Sequence, residues 1–270
     1  MANTEYWDQR NNKIFSKVGH WQGGVGVTIE GYSLMNELME NCSLMQITIL
    51  NATGKLVERH IADWIEVNFM GLSYPDSRIW CNQISAYAAD TNTTVVAAAS
   101  AAILSTDSRA YGGSQTTYSC MTFLQHAFIQ YQQGISFVDI IANVKQSNGK
   151  PMIVGFARPI DKDDERLQPY EDAQNRLRIP LGEHLSFAKK LSSFLDDNYS
   201  LTINSGGYAS AFLLDQGFTP NDGYNIKAFA VVGGAVACYR SLTGQTANSF
   251  LPMKCNDIEY TGVALRALME

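Results

Sequence analysis

After Gly54, the residues Leu56, Val57, Ile61, Trp64, Ile65 and Met70 recur at helical spacing. This predicts a helix over Lys55–Met70 with a single apolar stripe. The same period returns along most of the chain. It predicts helices over Ser33–Glu40, in the segment after Pro75 (through Ile79, Ile84 and Tyr87), and over Thr116–Tyr131 with Met121, Leu124, Phe128 and Tyr131 on one face. Further helices are expected at Phe137–Val144, Leu167–Leu177 and Glu183–Phe194, and at Tyr208–Gln216, which stops at Gly217. Thr91–Leu104, rich in alanine and serine, reads as a buried helix capped near Asp90 to Asn92 and anchored by Val95, Val96, Ile103 and Leu104. Asn225–Leu242 reads as one long apolar helix, with Gly233-Gly234 marking tight helix–helix contact. Strand signals are confined to Val25–Ile29 and the extended Leu201–Ile203. The fold class is therefore all-α, with no internal repeat, Rossmann fingerprint or P-loop.

A chain of 270 residues can bury a large core and form one large domain or two unequal ones. Its 20 Lys and Arg stand against 26 Asp and Glu, a net charge of −6 with no basic run, which points away from nucleic acid. An acidic average still permits a local basic pocket for an anionic ligand. No apolar run reaches membrane-spanning length, and MANTEYWDQR lacks the apolar core of a signal peptide. The five cysteines are widely spaced, without a CxxC pair, and read as reduced thiols of a cytoplasmic protein. The four histidines show no metal-ligand spacing, so no metal site is expected.

Gly149–Arg166, reading GKPMIVGFARPIDKDDER, opens on a turn signal, passes through a short apolar run and closes in a burst of charge. Pro159 disfavours a helical backbone at Arg158, which places Arg158 on an extended or turn segment between helices. Read alone, the stretch is either an exposed charged loop or an irregular segment that holds functional side chains.

Four fragments in order resemble the citrate synthase superfamily, most of all its short bacterial members and the citryl-CoA lyase type. They are Gly31-Tyr32 before a leucine-bearing helix, Tyr111-Gly112-Gly113 after an alanine-rich helix, Gly155-Phe156-Ala157-Arg158-Pro159-Ile160-Asp161-Lys162 with Arg166 shortly after, and Asn204-Ser205-Gly206-Gly207 before Leu213-Leu214-Asp215-Gln216-Gly217-Phe218. The resemblance implies a large helical domain formed by 1–111 and 207–270 and a small inserted helical domain of 112–206. It also implies a homodimer that binds an acyl-CoA thioester, and an oxo acid beside it, in an interdomain cleft, with no tightly bound cofactor.

The resemblance breaks at the positions that carry the family's chemistry. Its two histidines are matched by Tyr111 and Arg158, and its aspartate by Gly206. A glycine cannot abstract a proton, whereas a positioned base is worth about 10²- to 10⁴-fold in rate. Arg158 stays charged and can bind a carboxylate or enolate but cannot exchange protons. Tyr111 can donate a hydrogen bond to a thioester oxygen. Tyr111 and Arg158 are thus the catalytic candidates, and Gly155, Phe156, Lys162, Arg166, Asn204 and Gly206 the substrate or CoA-binding ones. By the resemblance, Lys162 and Arg166 fall at the family's anion-binding positions. Asp161, Asp163, Asp164 and His184 are either a substitute for the missing base or, more plainly, a solvated acidic loop and a surface histidine at a helix start, and Arg240 is either a carboxylate ligand or a snorkelling arginine. Asp76, Arg78, Trp80 and Asn82 either line the ligand site or cap a helix. Two functions stay open: an enzyme with altered carbon–carbon bond-forming or -cleaving chemistry, and a non-catalytic homologue that serves as a ligand-binding or interaction subunit.

Overall fold

A computed structural model describes residues 4–107, 113–158, 163–244 and 255–268. After a short helical turn α1 (Glu5–Asp8), three antiparallel strands β1 (Gly19–Gln22), β2 (Gly26–Ile29) and β3 (Tyr32–Ser33) form a small sheet, with Gly19 opposite Ile29 and Thr28 opposite Ser33. The expected helix Ser33–Glu40 is instead a π-helical turn, Leu34–Leu38, running into the single turn α2 (Met39–Asn41). Helix α3 (Leu44–Thr53) begins in a reciprocal cap between Ser43 and Gln46 and ends at Gly54 in the left-handed region.

Helix α4 spans Arg59–Met70 and starts later than its apolar period suggested. Residues 55–58 are an extended connection, held by Gln46 Nε2 donating to the Val57 carbonyl at 2.9 Å. The stripe of α4 is buried as the period requires. Trp64 is fully enclosed, stacks on Phe212 with ring centroids 3.6 Å apart, and donates its indole N–H to the Tyr170 carbonyl at 3.1 Å.

Helices α5 (Trp80–Asp90) and α6 (Val95–Leu104) follow. Thr94, rather than residues 90–92, caps α6. Only Ala98 and Ala102 of α6 are buried, whereas Val96 and Leu104 are 72% and 84% exposed. Its small residues turn inward to let α5 approach, which leaves the large ones outside.

Helices α7 (Ser114–Gln132) and α8 (Phe137–Ala142) lead to a hairpin of β4 (Gln146–Ser147) and β5 (Lys150–Pro151). Asn148 and Gly149 turn it, both at positive φ, the geometry that favours Asn-Gly between strands. Helices α9 (Leu167–Arg176), α10 (Glu183–Tyr199) and α11 (Ser205–Asp215) complete the main core with α3, α4, α7 and α8.

The long apolar helix expected at Asn225–Leu242 is two helices, α12 (Pro220–Lys227) and α13 (Val232–Leu242). Thr219 and Asp222 form a reciprocal cap ahead of Pro220. The break leaves Lys227 at the C-terminal end of α12. The glycine pair meets a loop, not a helix: Gly234 N–H donates to Ser73 Oγ at 3.1 Å, and a Cβ on Gly234 would lie 2.7 Å from the Tyr74 carbonyl oxygen. A second, smaller apolar cluster joins α5, α6 and α13 through Cys81, Ala102 and Ala235. No helix among the described residues is long and apolar enough to cross a membrane.

Candidate active site

A cavity of about 730 Å³ lies where the two clusters meet, bordered by the start of α5, one face of α7, the segment after β5, the start of α11 and the α12–α13 break. Its frame is a backbone crossing. Gly155 sits at φ +90°, where a Cβ would come within 2.5 Å of Cys120 Sγ and 2.8 Å of the Gly207 Cα. A Cβ on Gly207 would in turn lie 2.3 Å from the Gly155 carbonyl oxygen. That carbonyl accepts from Asn204 N–H at 2.9 Å.

Asn204 ties the two segments further. Its Oδ1 accepts from Gly206 and Gly207 N–H at 2.9 and 3.1 Å, capping α11. Its Nδ2 donates to the Ala157 carbonyl at 2.6 Å. The side chain of Asn204 is therefore engaged in the scaffold, and Gly206 presents backbone to the cavity.

Asp164 is the electrostatic centre of this frame, and its placement corrects the expectation of a solvated acidic loop. Its carboxylate is buried at the start of α11, accepting from Arg166 Nε at 2.7 Å, Arg166 Nη2 at 2.8 Å and Ser205 N–H at 2.7 Å. Burial alone would raise its pKa. The Arg166 guanidinium and the Ser205 amide outweigh that and hold it at about 2. Asp164 is thus a fixed charge and a weak proton acceptor. Asp163, by contrast, is exposed.

Arg158 and Arg166 both line the cavity. Arg166 Nη1 also donates to the Gly71 carbonyl at 3.3 Å. Arg158 Nη1 donates to the Asp163 carbonyl at 2.7 Å and to Glu165 Oε2 at 2.5 Å, and Nη2 reaches Glu165 Oε1 at 3.4 Å. Glu165 is thus already a carboxylate ligand for Arg158, and its own side chain is 72% exposed.

Lys150 and Lys227 add two further amine side chains, and no described residue of the wall is Asp or Glu. Lys227 was absent from the sequence-derived candidates. Its side chain is buried and donates from Nζ to Asn68 Oδ1. Burial, helped by the charge of Arg166, brings its pKa down from 10.5 to about 7. The available signal was a lone lysine in the otherwise apolar run Ile226–Cys238. Cys120 also lines the cavity, but burial pushes its thiol up to about 12, so it is an inert wall residue.

No family model matches the chain, and no curated protein does. Solved structures do resemble it. Citryl-CoA lyase from Hydrogenobacter thermophilus superposes with a TM-score of 0.76 at 22% identity, covering 95% of this chain and 98% of that one. The chain has the citrate synthase-like fold. ATP citrate lyase from Methanothrix soehngenii, in complex with citrate and coenzyme A, gives a TM-score of 0.72 at 13% identity over 98% of this chain and 45% of that one. Citrate synthase from Thermoplasma acidophilum, in a ternary complex with carboxymethyl coenzyme A and oxaloacetate, gives 0.56 at 14% identity over 84% of this chain and 59% of that one.

Within the citrate synthase-like fold, the residues singled out from sequence divide cleanly. Gly155, Arg158, Arg166, Asn204 and Gly206 share the cavity wall. Phe156 points away and is fully buried in the main core. Tyr111, Lys162 and Asp161 lie outside the described residues. Of the group near Pro75, Trp80 lines the cavity and donates to the Ser105 carbonyl at 2.6 Å. Asn82 is buried and donates to the Tyr74 and Asp76 carbonyls, while Arg78 pairs with Asp76 at the surface. His184 stands apart, with Nδ1 3.0 Å from Asp215 Oδ1, and Asp215 also accepts from the first N–H groups of α10. Arg240 is exposed.

Proposed function

We propose that this protein binds an acyl-CoA thioester and an oxo acid in the cavity and carries out divergent carbon–carbon bond-forming or -cleaving chemistry of the acyltransferase or lyase type. The observation that carries the reading is the sign of the cavity. In a chain of net charge −6, its described wall holds Lys150, Arg158, Arg166 and Lys227 and no Asp or Glu, with Asp164 and Glu165 pairing the two arginines from outside the wall. Such a wall selects anions, and guanidinium groups hold carboxylates and phosphates in two-point contacts. The bound citrate, oxaloacetate and coenzyme A of the similarly folded structures support the choice of anion.

Arg158, with Tyr111 from outside the described residues, would polarise the reacting carbonyl. Gly155, Arg166, Asn204, Gly206 and Lys162 would position the ligand, and Phe156 would support them from the core. The reading takes 112–206 as a small domain closing on the rest, which excludes water from the site. It takes the protein as a cytoplasmic homodimer, supported by exposed apolar side chains such as Trp21, Ile258 and Leu265.

A second reading, a ligand-binding homologue without turnover, is favoured by Asp164, the buried carboxylate of the frame, being locked at about pKa 2. Thermal melting tests the shared core of both. Coenzyme A thioesters should raise the melting temperature, and Arg166→Ala should shrink that rise. No shift with any thioester or 2-oxo acid would remove the proposal.

A further inference from the structure

Lys227 is a buried lysine in the cavity wall. Among the described residues no carboxylate lies within ion-pair distance of Nζ, although the side chain is enclosed. Asn68, itself 2% exposed, is its hydrogen-bond acceptor, and the Asn68 Nδ2 beside it has no partner among the described residues. The Tyr170 hydroxyl donates to the Asn68 carbonyl at 3.4 Å, so the amine is seated on a polar step of α4. Arg166 is near enough for its charge to disfavour a second positive charge, while Asp164 is taken up by Arg166 itself. At neutral pH a large share of Lys227 is therefore the free amine. A desolvated lysine beside another cation is the arrangement that makes an amine nucleophilic toward carbonyl carbon.

We propose that Lys227 captures the carbonyl group of a 2-oxo acid as an imine, with Arg158 and Arg166 holding the acid's carboxylate. The Nζ lone pair attacks the carbonyl carbon, forming the C–N bond as the C=O π pair moves to oxygen. That oxygen takes up the two amine hydrogens and leaves as water. One proton from solvent completes the iminium. A protonated imine draws electrons from the neighbouring carbon–carbon bond, so it would drive cleavage or formation there in a site where Gly206 supplies no base. The inference rests on the reading of the cavity as an anion site, and not on coenzyme A.

The test is reductive trapping. The full-length protein is incubated with pyruvate or oxaloacetate and sodium cyanoborohydride, followed by intact-mass analysis and peptide mapping. The expected product is a single adduct at Lys227, with a mass gain equal to the acid less one oxygen atom. Lys227→Arg and Lys227→Met should give none while melting as folded proteins, and Arg158→Ala should slow trapping by about tenfold through loss of one charge-assisted contact. No adduct at Lys227, adducts spread over surface lysines, or adducts persisting in Lys227→Met would each overturn the proposal. An adduct without stabilisation by thioesters would remove only the thioester reading. Stabilisation without an adduct would remove only this one.

Discussion

Lys227→Met should stabilise the protein at slightly acidic pH and flatten its stability across neutrality. In the unfolded chain the amine titrates near 10.5, and in the folded chain near 7. Between those values the unfolded state holds a proton that the folded state has released, so stability rises with pH. Below about 7 both states are protonated and the full cost of burying the charge is felt. One unit of pKa corresponds to about 1.4 kcal/mol, so going from about pH 6.5 to about pH 8.5 should recover roughly 2 kcal/mol. In a chain of this size that is a rise of roughly 5 °C in melting temperature. The perturbed groups around the cavity do not contribute across this interval. Arg166, Asp164 and Arg158 remain charged, and the raised thiol of Cys120 and hydroxyl of Tyr170 keep their protons. Methionine fills similar space without the charge, at a cost of about 1 kcal/mol for leaving Asn68 Oδ1 unpartnered. Calorimetric or circular-dichroism melts at the two pH values, at constant ionic strength, decide the matter. A flat wild-type profile, or a variant that keeps the slope, would refute the seating of Lys227 as an unpaired buried amine.

Asp164→Asn should destabilise the fold by about 3–5 kcal/mol, because it leaves the partly buried Arg166 without its anion; chemical denaturation measures this. For the wild type, the contribution of Asp164 is present above its unfolded pKa of 3.8 and lost as pH falls toward about 2, so the variant should lack that acid limb. Glu165→Gln should release Arg158 from its exposed partner and tighten binding of carboxylate ligands by about two- to fivefold. Titration calorimetry with oxaloacetate checks it, and weaker binding would show that Glu165 serves the ligand instead of competing with it.

Much of the helical framework was legible because a 3.6-residue apolar period is a direct image of one buried face. The stripe of α4 and the glycine stop after α11 are examples. The cavity frame was half legible: Gly155, Arg158, Asn204 and Gly206 stand out as irregular residues in ordered fragments, and they meet in space. The rest depends on contacts that no local pattern carries. Asp164 sits in a run of charges, and only the approach of the α11 amide at Ser205 and of Arg166 separates it from its solvated neighbour Asp163. The break between α12 and α13 has no proline to announce it, and the glycine pair in the first turn of α13 answers to the loop at Ser73 and Tyr74. Lys227 gains its character from that break. A lysine in a continuous amphipathic helix is ordinarily solvated.

The crossing of Gly155 and Gly207 also has a mechanical meaning. Two backbones in contact, with no side chain between them, form a joint without slack. A ligand that shifted the Gly155 segment would therefore press on the first turn of α11, whose Tyr208 and Phe212 stack against the indole of Trp64. If the cavity takes up a ligand as proposed, the emission of Trp64, the most enclosed tryptophan among the described residues, should report it.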